Sequence, residues 1–192
     1  MDDPPILTSG RVCPVTGKTL AATPIFISAW NVRLIARPGK LGLASAVIDG
    51  FSAQQADAYI VMDADFSHPP ELLSVLRKNL ETYDLVVASR HVKGGGVSGW
   101  PLRRRIISSV AILMARPLTH VKDTTTGFFA IRRACLENIK LTPLGFKIGL
   151  ECFVKANWNS YLEVPFIFTD RKCGSSKLRR GEFLAYLKHL RL

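Results

Sequence analysis

The residues of this sequence that are best suited to chemistry are two aspartates separated by a single residue. Asp63, Ala64 and Asp65 follow directly after the apolar run AYIVM at 58–62. Two carboxylates at the end of a strand can converge on one hard cation, and Mg²⁺ and Mn²⁺ commonly bridge such carboxylates to substrate phosphates. A solvated acidic turn is the alternative, whereas an EF-hand calcium loop is excluded because His68 stands where that loop requires glycine.

Basic residues suited to phosphate are spread along the chain. Arg90 follows the second buried run, DLVVAS at 84–89, so Arg90 and Asp65 are expected on the same rim of one sheet. Arginine binds phosphate oxygens through two parallel hydrogen bonds, and lysine acts as a point charge for the same ligand. Cations facing a metal-binding carboxylate pair therefore predict a bound diphosphate. The further basic candidates are Arg103, Arg104, Arg105, Arg171 and Lys177, although a solvated helix start would equally explain the arginine triplet.

The hydrophobic pattern predicts the elements that must position these side chains. Apolar runs predict strands at 32–36, 58–62, 84–89, 128–133 and 161–169. Helical spacing predicts helices at 41–53, 69–82, 102–115 and 147–156, with a last helix after the basic loop near the C-terminus. Strands that alternate with helices are typical of parallel βαβ units, in which functional residues lie beyond the carboxyl ends of the strands.

The bulk composition describes one globular domain with a strong positive charge. A chain of 192 residues with 47% hydrophobic and 21% charged residues can bury a core and is unlike a disordered protein. The net charge of +11 leaves nucleic acid, an anionic membrane surface and phosphorylated small molecules as partners. The four cysteines lack zinc-ligand spacing and are expected to be reduced thiols. No apolar run reaches the length of a membrane-spanning helix.

From Val32 onwards the sequence resembles a known family. The matching blocks are RPGKLGLASA (37–46), VMDADFSHPPE (61–71), ASRHVKGGGVSGWPLRR (88–104), DTTTGFFAIRR (123–133) and FTDRKCGSSKL (168–178). In order and spacing these blocks resemble the dolichyl-phosphate mannose synthases and related polyprenyl-phosphate sugar transferases of glycosyltransferase family 2. The resemblance implies an α/β fold of the glycosyltransferase A type, Rossmann-like, with a mixed, mainly parallel sheet flanked by helices.

The resemblance also divides the chain into two parts. It implies a catalytic domain at 32–192 and a poorly matching segment at 1–31. The family's opening strand ends in a base-binding motif that has no counterpart here. Asp2 and Asp3 resemble the start of the acidic block that follows this motif in the family, but Pro4 and Pro5 replace its continuation. We therefore expect the N-terminal strand to be missing or degenerate.

The resemblance assigns roles to the donor-side residues. Asp63 matches the aspartate near the ribose and the metal, Asp65 matches the direct metal ligand, and Ser67 matches a position beside the metal. Ala64 lies between the two aspartates in the nucleotide-sugar site. Further matches for that site are Arg90, Arg171 and Lys177, the last two on a late loop that closes over the donor phosphates.

On the acceptor side, the resemblance places Arg104 and Ser108 on the helix that meets the acceptor phosphate. Asp65, Arg104 and Ser108 are thus the expected catalytic residues, and Mg²⁺ or Mn²⁺ is the expected cofactor. Asp123 and the Thr126-Gly127-Phe128 segment match a supporting block near the acceptor.

The implied activity is inverting transfer of mannose from GDP-mannose to dolichyl or another polyprenyl phosphate, which yields a sugar donor for protein glycosylation. Another hexose donor (glucose or an aminosugar) and an inactive truncated homologue acting as a binding subunit remain alternatives. The expected location is peripheral, on the cytoplasmic face of a membrane, with an anchoring subunit or a lost C-terminal membrane segment. A nucleic-acid partner is not expected, because the basic residues are not interleaved with aromatic ones.

Overall fold

The computed structural model describes residues 6–8, 33–35, 37, 39, 41–65, 67–142, 147–169 and 190. Within these residues the strands are β1 (Ile6–Thr8), β2 (Arg33–Ile35), β3 (Ala58–Val61), β4 (Leu85–Ser89), β5 (Gly96–Ser98), β6 (Phe129–Arg132), β7 (Tyr161–Pro165) and β8 (Ile167–Thr169). The α-helices are α1 (Leu43–Ala53), α2 (Leu72–Asn79), α3 (Leu102–Ala115) and α4 (Ile148–Lys155), and 3₁₀ turns cover Arg116–Leu118 and Arg133–Leu136.

A four-stranded sheet with the order β3-β6-β4-β7 carries the site. Strand β4 pairs in parallel with β7 and antiparallel with β6, and β6 pairs antiparallel with β3. Strands β3, β4 and β7 therefore point in one direction and β6 alone points in the other. This arrangement confirms the mixed sheet that the resemblance implies, with three of its four strands in one direction. It also brings the carboxyl ends of β3 and β4 to the same edge.

Two short parallel pairs accompany this sheet. Strand β5 pairs with β8, and β1 pairs with β2. The sequence predicts a missing or degenerate first strand, and the strand found near the N-terminus has only three residues.

Helices cover both faces of the four-stranded sheet. Successive side chains of its buried central strand β4 point to opposite faces and pack against these helices. Leu85 and Val87 of β4 pack into a core cluster with residues of α1 and α4. Val86 and Ala88 point the other way and pack with Leu76 of α2. Every residue of β4 is buried, as the continuous apolar run DLVVAS predicts for a strand that is covered on both faces. The flanking of the sheet by helices is thereby confirmed.

The structure corrects three details of the predicted elements. The run at 58–62 is predicted to be buried, but β3 is only partly buried and Ile60 is exposed, because β3 pairs on one side only within the described residues. The predicted strand at 161–169 is divided at Phe166, where the chain leaves β4 and joins β5. Helix α2 is shorter than predicted and begins after a turn built on the Pro69 and Pro70 carbonyls.

Candidate active site

The acidic pair lies immediately beyond the end of β3. The carboxylate of Asp65 is held by its own loop, because its Oδ1 accepts hydrogen bonds from the Ser67 hydroxyl at 2.5 Å and from the Ser67 main-chain N–H at 3.2 Å. Asp63 and Asp65 are half-buried, whereas Ser67 is only 2% exposed. The buried residue Ser67 therefore fixes the orientation of the Asp65 carboxylate.

His68 supports the other half of the pair. Its Nδ1 accepts a hydrogen bond of 2.9 Å from the main-chain N–H of Asp63. Burial lowers the pKa of His68, and the charge of Arg90 lowers it further, while the carboxylates of Asp63, Asp65 and Asp123 oppose both effects. The imidazole is therefore neutral near pH 7. The Arg90 guanidinium carbon lies 5.7 Å from the centroid of the Phe168 ring, and that ring lies 5.9 Å from the His68 ring. The structure therefore brings Arg90 to the same region as the acidic pair.

A cluster of five rings underlies the site. His68 stacks on Phe128 with ring centroids 4.8 Å apart, and it meets Phe166 and Phe168 edge-on at 5.8 and 5.9 Å. Trp100 extends the cluster by an edge-on contact with Phe168 at 5.4 Å. We refer to His68, Trp100, Phe128, Phe166 and Phe168 as the aromatic cluster. Its members come from four separate segments of the chain. Their burial and edge-to-face contacts hold these segments together.

Arg90 is engaged by protein groups. Its Nε and Nη2 donate to the two carboxylate oxygens of Asp123, each at 2.7 Å, and Nη2 also donates to the Thr125 hydroxyl at 2.7 Å. The main-chain N–H of Arg90 donates to Asp123 as well, at 2.9 Å. The sequence predicts that Arg90 binds the donor diphosphate, but in this structure its guanidinium joins the end of β4 to the loop that carries Asp123.

Asp123 is fully buried and remains ionised because of Arg90. Burial alone would raise its pKa, yet the hydrogen bonds and charge of Arg90 outweigh burial and lower the pKa below its usual value. The loop is fixed further by Glu163 of β7, which accepts the main-chain N–H of Asp123 at 3.1 Å, and by Lys147, whose Nζ donates to the Thr125 carbonyl at 3.2 Å.

The same loop approaches the acidic pair at Gly127. A Cβ built on Gly127 would stand 4.0 Å from the Oδ2 of Asp63 and 4.0 Å from the Cε1 of His68. The block at 123–128, for which the resemblance implies a supporting role, is therefore part of the wall beside the carboxylates.

Helix α3 brings Arg104 to the aromatic cluster. The Arg104 guanidinium carbon lies 3.9 Å from the centroid of the Trp100 ring, and that of Arg90 lies 5.5 Å from the same centroid. A guanidinium over an indole face is held by a cation–π attraction. Ser108 follows Arg104 by four residues, so both lie on one side of the helix. The structure thus brings together Asp63, Asp65, Ser67, Arg90 and Arg104, with Ser108 one turn along α3.

The outer face of α3 is apolar and exposed. Leu102 is 73% exposed and Leu113 is 71% exposed. The other large apolar side chains exposed on this helix are Ile106, Ile107, Val110 and Met114. The neighbouring exposed arginines are Arg103, Arg105 and Arg116. Among the helices of the described residues, none combines the length and the hydropathy that crossing a bilayer requires.

The oxygen atoms of Asp63, Asp65 and Ser67 suit a hard divalent metal ion as ligands. Within the described residues no group of three or more His, Cys, Asp and Glu side chains could hold a metal. Two carboxylates and a hydroxyl are nevertheless the oxygen ligands that Mg²⁺ and Mn²⁺ accept, and these ions usually complete their coordination with water and substrate phosphates. Asp63, Asp65 and Ser67 therefore fit Mg²⁺ or Mn²⁺.

Two predicted site residues, Arg171 and Lys177, lie outside the described residues. Sequence reasoning missed His68, Trp100 and Phe168 as parts of the site. The signal for them was their position inside the blocks that carry the acidic pair, Arg104 and the late loop. An aromatic residue in such a block is an equally good core residue, so its type alone does not reveal its neighbours.

The part of the chain that matches a known protein family contains the same site residues. Residues 19–140 match the family model described as glycosyl transferase family 2, and this range contains the acidic pair, Arg90, Arg104 and the 123–128 block. The chain belongs to glycosyl transferase family 2.

Relatives of this family 2 chain carry names that agree with one another. It is 40% identical over 168 residues to a dolichol-phosphate mannosyltransferase of Pyrococcus furiosus, covering 85% of this chain and 48% of the relative. It is 39% identical over 171 residues to the Saccharomyces cerevisiae protein of the same name, covering 84% and 64%. A polyprenol monophosphomannose synthase of Mycolicibacterium smegmatis is 39% identical over 159 residues, covering 77% and 60%. The chain thus spans about half to two thirds of the length of these curated relatives.

Solved structures agree with the fold. A glucosyl-3-phosphoglycerate synthase of Mycobacterium tuberculosis, bound to phosphoglyceric acid, superposes with a TM-score of 0.65 at 18% identity, over 99% of this chain and 70% of that one. The same enzyme bound to Mn²⁺, UDP-glucose and phosphoglyceric acid gives a TM-score of 0.60 at 17% identity, over 88% and 65%. Enzymes of this fold therefore include one that holds Mn²⁺ together with a nucleotide sugar.

Proposed function

We propose that this family 2 chain transfers mannose from GDP-mannose to dolichyl or another polyprenyl phosphate. The observation that carries the proposal is the gathering of Asp63, Asp65 and Arg104 around one aromatic cluster. The names of relatives that are about 40% identical support mannose and a polyprenyl phosphate as the substrates. The site thus offers carboxylates for a metal-bound donor and a cation for a phosphate acceptor.

The reaction we propose is a single displacement with inversion. An oxygen of the acceptor phosphate attacks the anomeric carbon, a new carbon–oxygen bond forms, and the bond between that carbon and the diphosphate breaks with its electron pair leaving on GDP. A divalent ion, when bound, supplies positive charge that stabilises the departing diphosphate. The acceptor oxygen is already ionised at neutral pH, so the site needs no general base.

The residues of the chain have distinct tasks in this scheme. Asp63 and Asp65 present their carboxylates, and Ser67 holds the carboxylate of Asp65 in a fixed direction. Arg104, which contacts the Trp100 ring, would bind the acceptor phosphate through its guanidinium, and Ser108 would add its hydroxyl. We assign Arg171 and Lys177 to the donor phosphates as an extension of the family resemblance.

We further propose that α3 faces a membrane surface. Its exposed apolar stripe suits burial at the boundary of headgroups and acyl chains, which is where the tail of a polyprenyl phosphate emerges. Arg103 and Arg105 would attract anionic headgroups, at about 1 kcal/mol for each well-placed cation. A peripheral position on the cytoplasmic face of a membrane, aided by an anchoring subunit or segment, is consistent with this surface and with the net charge of +11.

The test is transfer of radiolabel from GDP-mannose to a polyprenyl phosphate in detergent or vesicles, with Mg²⁺ or Mn²⁺ and then with excess chelator. The Asp65→Asn variant should lose transfer, by about two to three orders of magnitude or more. Asp57→Asn is a matched control, because Asp57 is an exposed aspartate that precedes β3. Full activity in the presence of chelator would refute the role of the metal.

Competition distinguishes the alternatives. If unlabelled UDP-glucose or a nucleotide aminosugar suppresses transfer more strongly than GDP-mannose does, the donor assignment is wrong while the reaction class stands. If the chain binds no nucleotide sugar in the presence of Mn²⁺, the inactive binding subunit becomes the better description.

A further inference from the structure

We propose that His68 is a positioning residue for the acidic pair, and that its imidazole holds the main chain of Asp63 so that Asp63 and Asp65 can share one divalent ion. This inference rests on the proposed metal-dependent function. It assigns a task to a residue outside the expected ligands of metal, donor and acceptor.

The first step is the hydrogen-bonding need of Asp63. The β3–β6 ladder ends at the pairing of Val61 with Phe129, so the main-chain N–H of Asp63 lies beyond the strand and needs another acceptor. The Nδ1 of His68 supplies it at 2.9 Å. A ring nitrogen that accepts an N–H carries no proton, so the imidazole must be neutral with its proton on Nε2.

The second step is that both halves of the acidic pair depend on one dipeptide. Ser67 holds the carboxylate of Asp65 through its hydroxyl and its main-chain N–H, while His68 holds the main chain of Asp63. The two supporting residues are 2% and 3% exposed. The spacing of the two carboxylates is therefore set by this buried dipeptide. Within it His68 acts as an outer-sphere partner, the kind of residue that usually orients metal ligands.

The third step is the rigidity of the imidazole. Stacking on Phe128 and edge-on contacts with Phe166 and Phe168 surround the His68 ring. A ring packed in this way cannot turn its Nδ1 away from Asp63 without displacing its neighbours. If His68 were only a core residue, the packing of its ring would be its whole role. Replacing His68 with phenylalanine keeps a packed ring without the acceptor nitrogen, so this variant separates the packing role from the hydrogen-bonding role.

Three variants of His68 provide the test. Asparagine carries an amide oxygen at the same distance along the side chain as Nδ1, glutamine carries its oxygen one bond further out, and phenylalanine preserves the ring without any acceptor. Binding of Mn²⁺ in the presence of GDP is measured from the loss of the free Mn²⁺ signal in electron paramagnetic resonance. Thermal unfolding of each variant checks its fold, and the phenylalanine variant keeps the test valid should the smaller side chain loosen the core.

We expect His68→Phe and His68→Gln to weaken Mn²⁺ binding by about tenfold or more, in the range typical of outer-sphere partners, and His68→Asn to recover most of the loss. In the unaltered chain, imidazole ¹⁵N resonances recorded without metal should show the proton on Nε2. The Asp63 amide should exchange with solvent more slowly than the same amide in His68→Phe.

Any one of four results would overturn the inference. A proton on Nδ1 rules out the hydrogen bond itself. Unchanged Mn²⁺ affinity in His68→Phe, or equal losses in the asparagine and glutamine variants, removes the positioning role while leaving the proposed function intact. If the unaltered chain fails to bind Mn²⁺ with GDP, the proposed function fails at its metal and the inference fails with it.

Discussion

Replacing Asp123 with asparagine should destabilise the fold by several kcal/mol, although the change removes only one charge. In the structure the Asp123 carboxylate is fully buried and receives two guanidinium hydrogen bonds of 2.7 Å from Arg90, whose side chain is 7% exposed. An asparagine can accept only one of these bonds well, and it leaves the Arg90 charge buried without a counter-charge.

The size of the effect follows from that burial. Removing one member of a buried ion pair typically costs about 3–5 kcal/mol, because the remaining charge has lost its compensation. A total stability of about 5–15 kcal/mol is usual for a domain, so Asp123→Asn would remove a large fraction of it. An exposed ion pair contributes only about 0–1 kcal/mol.

The assay is equilibrium unfolding in urea, followed by circular dichroism, for the unaltered chain and two variants. Glu137→Gln is the matched control, because its pair with Arg133 is 3.5 Å long and the two side chains are 53% and 42% exposed. We expect a loss of about 3 kcal/mol or more for Asp123→Asn and less than about 1 kcal/mol for the control. Equal losses would refute the structural role of the Arg90–Asp123 pair and would favour the predicted role of Arg90 in binding the donor diphosphate.

The same comparison has a predictable pH dependence. The pKa of Asp123 in the folded chain lies below its ordinary value, so the carboxylate stabilises the fold at every pH above that ordinary value. The contribution is lost as the pH falls through the lowered pKa. The difference between the unaltered chain and Asp123→Asn should stay constant from about pH 8 to about pH 5 and shrink at more acid pH. A difference that grows on acidification contradicts this assignment of charge.

Two further predictions concern the loops around the site. Gly95→Ala should lower the urea midpoint because the added Cβ would stand 2.5 Å from a main-chain oxygen at the end of β4, whereas Gly96→Ala meets nothing within 4 Å and should have little effect; similar midpoints for both would count against the geometry of this loop. Ser67→Ala removes the 2.5 Å hydrogen bond to Asp65 and should weaken Mn²⁺ binding about tenfold, while Ser74→Ala, which removes a hydroxyl on the exposed part of α2, should leave the affinity unchanged. Identical affinities for the two serine variants would show that Asp65 needs no support from Ser67.

The pattern of the sequence predicted the elements well where packing leaves a clear period. The run at 84–89 is apolar throughout and becomes β4, which is buried on both faces. The predicted helix at 102–115 matches α3 at both ends. The direction of β6 cannot be read from the sequence, because the insertion of β6 between β3 and β4 depends on long-range contacts that local periodicity does not encode.

The site was predicted in part, for a related physical reason. The position of Asp63 and Asp65 after a strand follows from local pattern, so their place at the sheet edge was accessible. The partner of Arg90 was not, because a guanidinium suits a phosphate and a carboxylate equally well, and Asp123 is 33 residues away. Likewise the sequence does not show that the strand predicted at 161–169 is divided at Phe166. The division arises because the N–H of Phe166 donates to the Ser89 carbonyl, while the Phe166 carbonyl accepts from the N–H of Gly96.

The parallel pairing of β4 with β7 also has a consequence for synthesis on the ribosome. Asp84 and Ser160 are hydrogen-bonded across 76 residues of chain, so one edge of the central strand stays open until Tyr161–Pro165 has left the exit tunnel. A nascent chain arrested before that point would carry an unpaired apolar edge that other strands or chaperones can bind. Arrested chains of increasing length should therefore become resistant to protease only after β7 has emerged.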